Sequence, residues 1–198
     1  MFIGHLPAGY VLTRALWPAL HRLGLATPKW RPFLLAGLVT SILPDIDLLY
    51  FYLIDNRQHL HHSYWTHLPF YWIAIGACML LFIAVSKRKK LLPYVIVAGA
   101  NLFLHLCLDT IVGKVRWLYP ISREDFYLFD VPRIHSWYVW DFVLHWTFLL
   151  EFIPIIAAIY VYTQWPSPME AVEIRSLGHD QTSAEADSDV QRRCTDTG

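Results

Sequence analysis

The stretch from Leu68 to Ser86, LPFYWIAIGACMLLFIAVS, runs for 19 residues without a charged side chain. About 20 mainly apolar residues cover the roughly 30 Å of hydrocarbon in a bilayer, so this segment reads as a membrane span. Outward from it lie three more segments of sufficient length, each carrying ionisable groups. Phe33 to Ile54 contains Asp45 and Asp47, Leu91 to Gly113 contains His105 and Asp109, and Val139 to Thr163 contains Asp141, His145 and Glu151. A weaker candidate from Ala8 to Leu25 is interrupted by Arg14 and His21 and is either a short span or an interfacial helix. The expectation is an all-α fold, a polytopic transmembrane helix bundle of four to five spans.

Composition points the same way, since 56% of the 198 residues are hydrophobic and only 16% charged, against about a quarter charged in soluble domains. Residues 1–164 carry 13 basic and 9 acidic side chains, whereas residues 165–198 carry 3 and 7. The first part is expected to be an integral membrane domain holding a metal site. The second, polar and without apolar periodicity, is expected to be a disordered tail. Basic residues do not gather on one face, so no nucleic-acid partner is expected. Cys78, Cys107 and Cys194 stand apart without a C-x-x-C pair, which argues against a disulfide framework or a thiolate zinc site. No Lys or Arg precedes the first apolar run, so the start of the chain reads as mature fold and not as a cleaved leader.

The basic loops set the orientation. Lys87-Arg88-Lys89-Lys90 joins two spans, and Arg22, Lys29 and Arg31 precede another, which places both on the cytoplasmic side. With five helices the N-terminus begins outside, and the intramembrane ionisable groups converge near the extracytoplasmic surface. A charge inside a bilayer costs a few kcal/mol on insertion scales, so such groups face the bundle interior and pair or bind something.

His105 and Asp109, four residues apart, share a helix face about one turn from each other. They can offer an imidazole and a carboxylate to one cation, or satisfy each other by a hydrogen bond. Asp45 and Asp47 follow Pro44. On a straight helix they point roughly 200° apart, so both face one cavity only if the segment is broken at the proline. Two carboxylates in a low dielectric repel unless a cation neutralises them; the bland alternative is an N-cap for a restarting helix. His59, His61, His62 and His67 put four imidazoles within nine residues. They are either solvated loop residues or nitrogen ligands of the kind zinc takes. Tyr64, Trp65, Tyr71 and Trp72 read as an interfacial aromatic belt.

Gly4-His5, Leu43-Pro44-Asp45-Ile46-Asp47, the run from His62 to His67, and His105 to Asp109 followed by Arg116-Trp117-Leu118-Tyr119-Pro120 stand in a recognisable order. Over about residues 1–130 the chain resembles the bacterial membrane-bound metal-dependent hydrolases, also called LexA-binding inner-membrane hydrolases. That family's second motif reads His-Arg-Gly-x-Thr-His; here Ser63 and Tyr64 replace Arg-Gly, and Leu48 follows Asp47. The resemblance implies His5, Asp45, Asp47, His62, His67, His105 and Asp109 as the metal set. The family's hydrolase label rests on the likeness of its His/Asp pattern to helical zinc-dependent phospholipase C enzymes.

These residues lead to an expected function: a hydrolase in the bacterial inner membrane, its site facing the extracytoplasmic side, acting on a phosphoester of a lipid or lipid-linked substrate. Seven candidate ligands exceed the three of a mononuclear catalytic zinc site, so two divalent ions, zinc or manganese, are expected about 3.5–4 Å apart with an activated water. Asp45 or Asp47 is the expected bridge or base, with His61, Asp141 and His145 as weaker supporting groups. Arg116, Arg123 and Lys114 are candidates for phosphate contact, more cheaply read as solvated loop charges. The competing readings are a non-catalytic membrane protein with a structural metal or a regulatory protein partner, and a metal transporter.

Overall fold

The computed structural model describes residues 3–25, 28–56, 64–132, 134–135 and 138–164. His59, His61, His62 and the tail from Trp165 onward lie outside the described residues. The helices are α1 His5–Arg22, α2 Trp30–Ile42, α3 Asp47–Leu53, α4 Pro69–Ser86, α5 Leu92–Asp109, α6 Tyr138–Leu144 and α7 Phe152–Gln164. Among the described residues there is no β-strand, only an isolated bridge between Val115 and Phe126. The chain divides after Ile159 into two units, and the helix packing belongs to the first.

Pro69–Ser86, Lys89–Asp109 and Trp146–Gln164 are long and apolar enough to cross a membrane, and Trp30–Ile42 with Pro44–Leu53 makes a fourth if the bent pair is one span. Helix α4 has 18 residues, about 27 Å of rise, and only 11% of it is buried within the protein. Ile73, Leu81 and Val85 point outward, as a lipid-facing helix requires. Helix α1 is equally long but too polar to count with the spans.

Two expected spans are broken. Phe33 to Ile54 bends by 55° between α2 and α3, across a 3-10 turn, Pro44–Ile46. Pro44 opens that turn at a position whose N–H has no helical partner to lose. Val139 to Thr163 is not one helix either. His145 is extended (φ −82°, ψ 142°), and its Nδ1 accepts from the Thr147 N–H to start a 3-10 segment, Trp146–Glu151. Local capping thus stops α6, and the crossing segment shortens to Trp146–Gln164.

Helices α1, α2 and α5 pack on one another, with α4 against α5. Small residues let them approach closely. A Cβ added at Gly9 would lie 2.3 Å from Ser41 Cβ and 2.9 Å from Asn101 Oδ1. The Asn101 amide donates to Thr13 Oγ1 of α1 (3.1 Å) and to the Val97 carbonyl of its own helix (2.9 Å). Leu20, Phe33 and Val97 form an apolar core with Trp17, Trp30 and Tyr94, and the buried Arg14 guanidinium lies over the Trp30 ring at 5.3 Å. This aromatic core occupies the end of the bundle near Arg22, Lys29 and Arg31. His5, the α2–α3 break, His67 and Asp109 meet at the other end.

Asp141 anchors the segment ahead of α6. Its Oδ1 accepts from the N–H groups of Ile134 (3.1 Å) and His135 (2.8 Å) and from His135 Nδ1 (2.6 Å). Burial pushes its carboxyl pKa up, but the His135 and backbone donors outweigh that and hold it below the ordinary value. A depressed carboxylate stabilises the fold above its unfolded pKa of about 3.9 and loses that contribution as pH falls through the folded value. Amide hydrogen exchange at Ile134 and His135 is therefore expected to be slow from neutral pH down to about 4. It should accelerate under stronger acid, and at all pH values in Asp141→Ala.

Gly9→Ala is expected to force α1 from α2 and cost about 1–3 kcal/mol, the range for overpacked sites. Gly76→Ala, where a Cβ meets nothing within 4 Å, should cost nothing. Thermal unfolding of the two variants in the same detergent makes the comparison.

Candidate metal centre

Four separate elements deliver the site. Helix α1 begins with His5, the turn Pro44–Ile46 carries Asp45, the turn Trp65–His67 ends in His67, and the last turns of α5 carry His105 and Asp109. Pro69 starts α4, and the residue before a proline is driven out of the helical region. Leu68 accordingly is extended (φ −98°, ψ 113°), which turns His67 inward ahead of the helix. The Trp72 indole N–H donates to the Thr66 carbonyl at 2.7 Å and pins that turn, so one member of the aromatic belt also supports the site.

The broken segment brings both its carboxylates to one imidazole. His67 Nδ1 lies 2.7 Å from Asp47 Oδ2, and His67 Nε2 lies 3.6 Å from Asp45 Oδ1. Neither Asp acts as a helix cap, for no side-chain cap bond is made at either turn. Thr66 Oγ1 donates to the same Asp47 oxygen. Asp47 thus stands behind His67, while Asp45 stands in front of it.

Asp109 is the centre of the group. Its Oδ1 is 3.0 Å from His5 Nε2, and its Oδ2 is 3.0 Å from His105 Nε2 and 3.4 Å from His67 Nε2. His105 Nε2 is also 3.7 Å from Asp45 Oδ1. The His5 and His105 rings stack with centroids 3.8 Å apart and planes 18° apart. Exposure falls to 2% or less at His5, His67, His105 and Asp109, whereas the Asp45 side chain keeps 22%. Asp45 therefore marks the accessible side.

The tautomers follow from what lies behind each ring. His105 Nδ1 is 2.7 Å from the Ser41 carbonyl, which can only accept, so Nδ1 carries the proton. His67 Nδ1 faces the Asp47 carboxylate and carries one for the same reason. A ring protonated at Nδ1 alone would turn its Nε2 lone pair toward carboxylate oxygens, acceptor against acceptor, and His105 Nε2 has no hydrogen-bond partner. A second ring proton or a cation between the groups removes that conflict. The four distances linking the two Nε2 atoms to Asp45 Oδ1 and Asp109 Oδ2 span 3.0 to 3.7 Å. A tetrahedral shell with zinc bonds of about 2.0–2.1 Å has donor–donor edges of about 3.3–3.4 Å, and these four nitrogen–oxygen edges lie around that length. His5, Asp45, His105 and Asp109 also each offer a ligand atom within 4.8 Å of the others.

Other expected groups have different partners. Asp141 is engaged with Ile134 and His135, and His145 Nδ1 with Thr147. Arg116 pairs with Asp125 at 2.8 Å and Lys114 with Asp130 at 3.6 Å. Two contributors had no motif to announce them: Ser41 acts through its backbone carbonyl, and Glu151 reaches the start of α1 from the far end of the sequence. The cost of burying a carboxylate in a span was the one signal that singled out Glu151.

No curated protein and no solved structure matches this chain. A family model described as YdjM inner membrane protein matches residues 1–174. That description carries the inner-membrane assignment and says nothing of catalysis. With the match covering most of the sequence and apolar helices in the structure, the chain belongs to the YdjM inner membrane protein family.

Proposed function

We propose that this protein is a metal-dependent hydrolase at the extracytoplasmic face of the inner membrane, acting on a phosphoester of a lipid or lipid-linked substrate. The observation that carries the reading is the convergence of two imidazole Nε2 atoms, each fixed from behind by an acceptor, on the carboxylates of Asp45 and Asp109. Asp45, His105 and Asp109, with the imidazoles of His5 and His67 beside them, would hold one divalent cation, zinc by the nitrogen and oxygen donors. Among the described residues, too few donors are left over for a second ion. Such an ion supplies Lewis acidity toward a phosphoryl oxygen and acidifies water.

The chain's own residues supply the rest. Asp47 and the Ser41 carbonyl keep the two imidazoles oriented, as partners behind metal-binding histidines do. Asp45, at the accessible side, is placed to take a proton from the attacking water as water adds to phosphorus and the ester P–O bond breaks. Ile42, Ile46 and Leu49 are exposed around Asp45, which suits an acyl chain lying against the protein while its head group reaches the carboxylates. The arginine-bearing version of the His67 motif is absent, and Arg116 is already paired with Asp125; a bound cation would neutralise phosphate charge at the site.

A structural cation is the second reading, favoured by the low exposure of the donors, since structural zinc sites are closed and catalytic ones keep an open position. A transporter fares worse, because the described interior beyond Asn101 and Thr13 leads to Arg14 and aromatic rings, with no second His/Asp group among the described residues.

Elemental analysis of protein purified from zinc-replete medium is expected to find about one zinc per chain, lost in Asp109→Ala. Asp45→Asn should keep the thermal transition and lower phosphodiester hydrolysis by about 100-fold or more. Zinc without turnover would select the structural reading, and no bound metal would remove both. For orientation, Ile121→Cys and Lys89→Cys are made in a background lacking the native cysteines. The first should react with an impermeant maleimide in whole cells, and the second only after lysis; the reverse would place the site in the cytoplasm.

A further inference from the structure

Glu151 is fully buried at the end of the 3-10 segment that leads into α7. Its Oε2 accepts from the backbone N–H of Ile3 at 3.0 Å and of Gly4 at 2.6 Å. Gly4 is the N-cap of α1 and has no side chain with which to cap it. Glu151 therefore supplies, from 147 residues away, the acceptor that the free N–H groups of a helix start require. A carboxylate suits that position because the helix N-terminus carries partial positive charge and the bonds are charge-assisted.

The residue following those two amides is His5. Two contacts define the place of its ring, for Nε2 lies 3.0 Å from Asp109 Oδ1 and its face stacks on His105 at 3.8 Å. Helix α1 enters the site only by this first residue, so the direction of the His5 ring depends on where Ile3 and Gly4 are held. We propose that Glu151 is a positioning residue of the metal centre, fixing His5 against Asp109 and His105 and tying the start of the last span to the site. The inference rests on the metal-binding reading of the site. It adds a residue outside every motif that the sequence offered.

The test uses the full chain in detergent with two probes, zinc affinity by chelator competition and the visible absorption of the cobalt(II)-substituted protein. Glu151→Met removes the acceptor and keeps the volume; it is expected to weaken zinc binding about tenfold or more, the scale for lost outer partners of a site, and to change the cobalt spectrum. Glu151→Gln keeps an acceptor oxygen and should restore most of both. Ile3→Pro, at an exposed residue, deletes one donor with Glu151 intact. It should give an intermediate loss, and it serves as the deciding variant should Glu151→Met not fold. A folded Glu151→Met or Ile3→Pro protein with wild-type affinity and spectrum overturns the proposal, even if its thermal transition falls, for that is anchoring alone. Wild-type protein that binds neither zinc nor cobalt overturns the metal reading and this inference together.

Discussion

Acceptor facing acceptor inside a membrane protein is the constraint from which the rest of this structure follows. The imidazoles of His67 and His105 have their Nδ1 protons committed to Asp47 and to the Ser41 carbonyl. Their Nε2 atoms are thereby turned toward Asp45 and Asp109 at 3.0 to 3.7 Å. In water such an arrangement would disperse. Where solvent is excluded it persists only if positive charge sits between the groups, either as protons on the rings or as a cation. Two nitrogens aimed at one pair of oxygens, at 3.0 to 3.7 Å, leave a place that either kind of positive charge can fill.

Holding that arrangement requires four elements to end at the same depth, and the bundle has features that meet the requirement. Gly9 allows α1 to touch Ser41 of α2 and Asn101 of α5, which sets the height of His5 relative to the Ser41 carbonyl and His105. Asn101 and His105 lie one turn apart on α5. One polar residue thus links α5 to α1 by its hydrogen bond to Thr13, while the next faces the site. The aromatic core around Phe33 closes the opposite end, so the polar seam stops well short of crossing the bundle.

Much of this was written in the local sequence. The uncharged run from Leu68 to Ser86 gives α4 almost residue for residue, because a charge-free apolar segment of that length has few other uses. The four-residue spacing of His105 and Asp109 already put them on one helix face, and Pro44 already made a break between α2 and α3 the condition for Asp45 and Asp47 to act together. Less legible was the stop before Trp146, where the composition stays apolar and only the capping contact of His145 with Thr147 interrupts the helix. The contribution of Ser41 was not legible at all, since a backbone carbonyl leaves no mark on residue identity.

On the proposed metal reading, Asp47 and Glu151 show why residue type and spacing identify a group of ligands more readily than its supports. Both are carboxylates buried in apolar surroundings, and both resemble ligands by composition. Asp47 sits two residues from Asp45, yet the tight turn after Pro44 rotates it to the far side of His67, where it orients a ring. Glu151 is separated from His5 by most of the chain, yet two backbone amides place it one residue from the site. In each case the distinction between binding a cation and directing the group that binds it lies in which nitrogen the oxygen faces. That direction is a property of backbone path, set at a proline turn for one residue and at a helix start for the other.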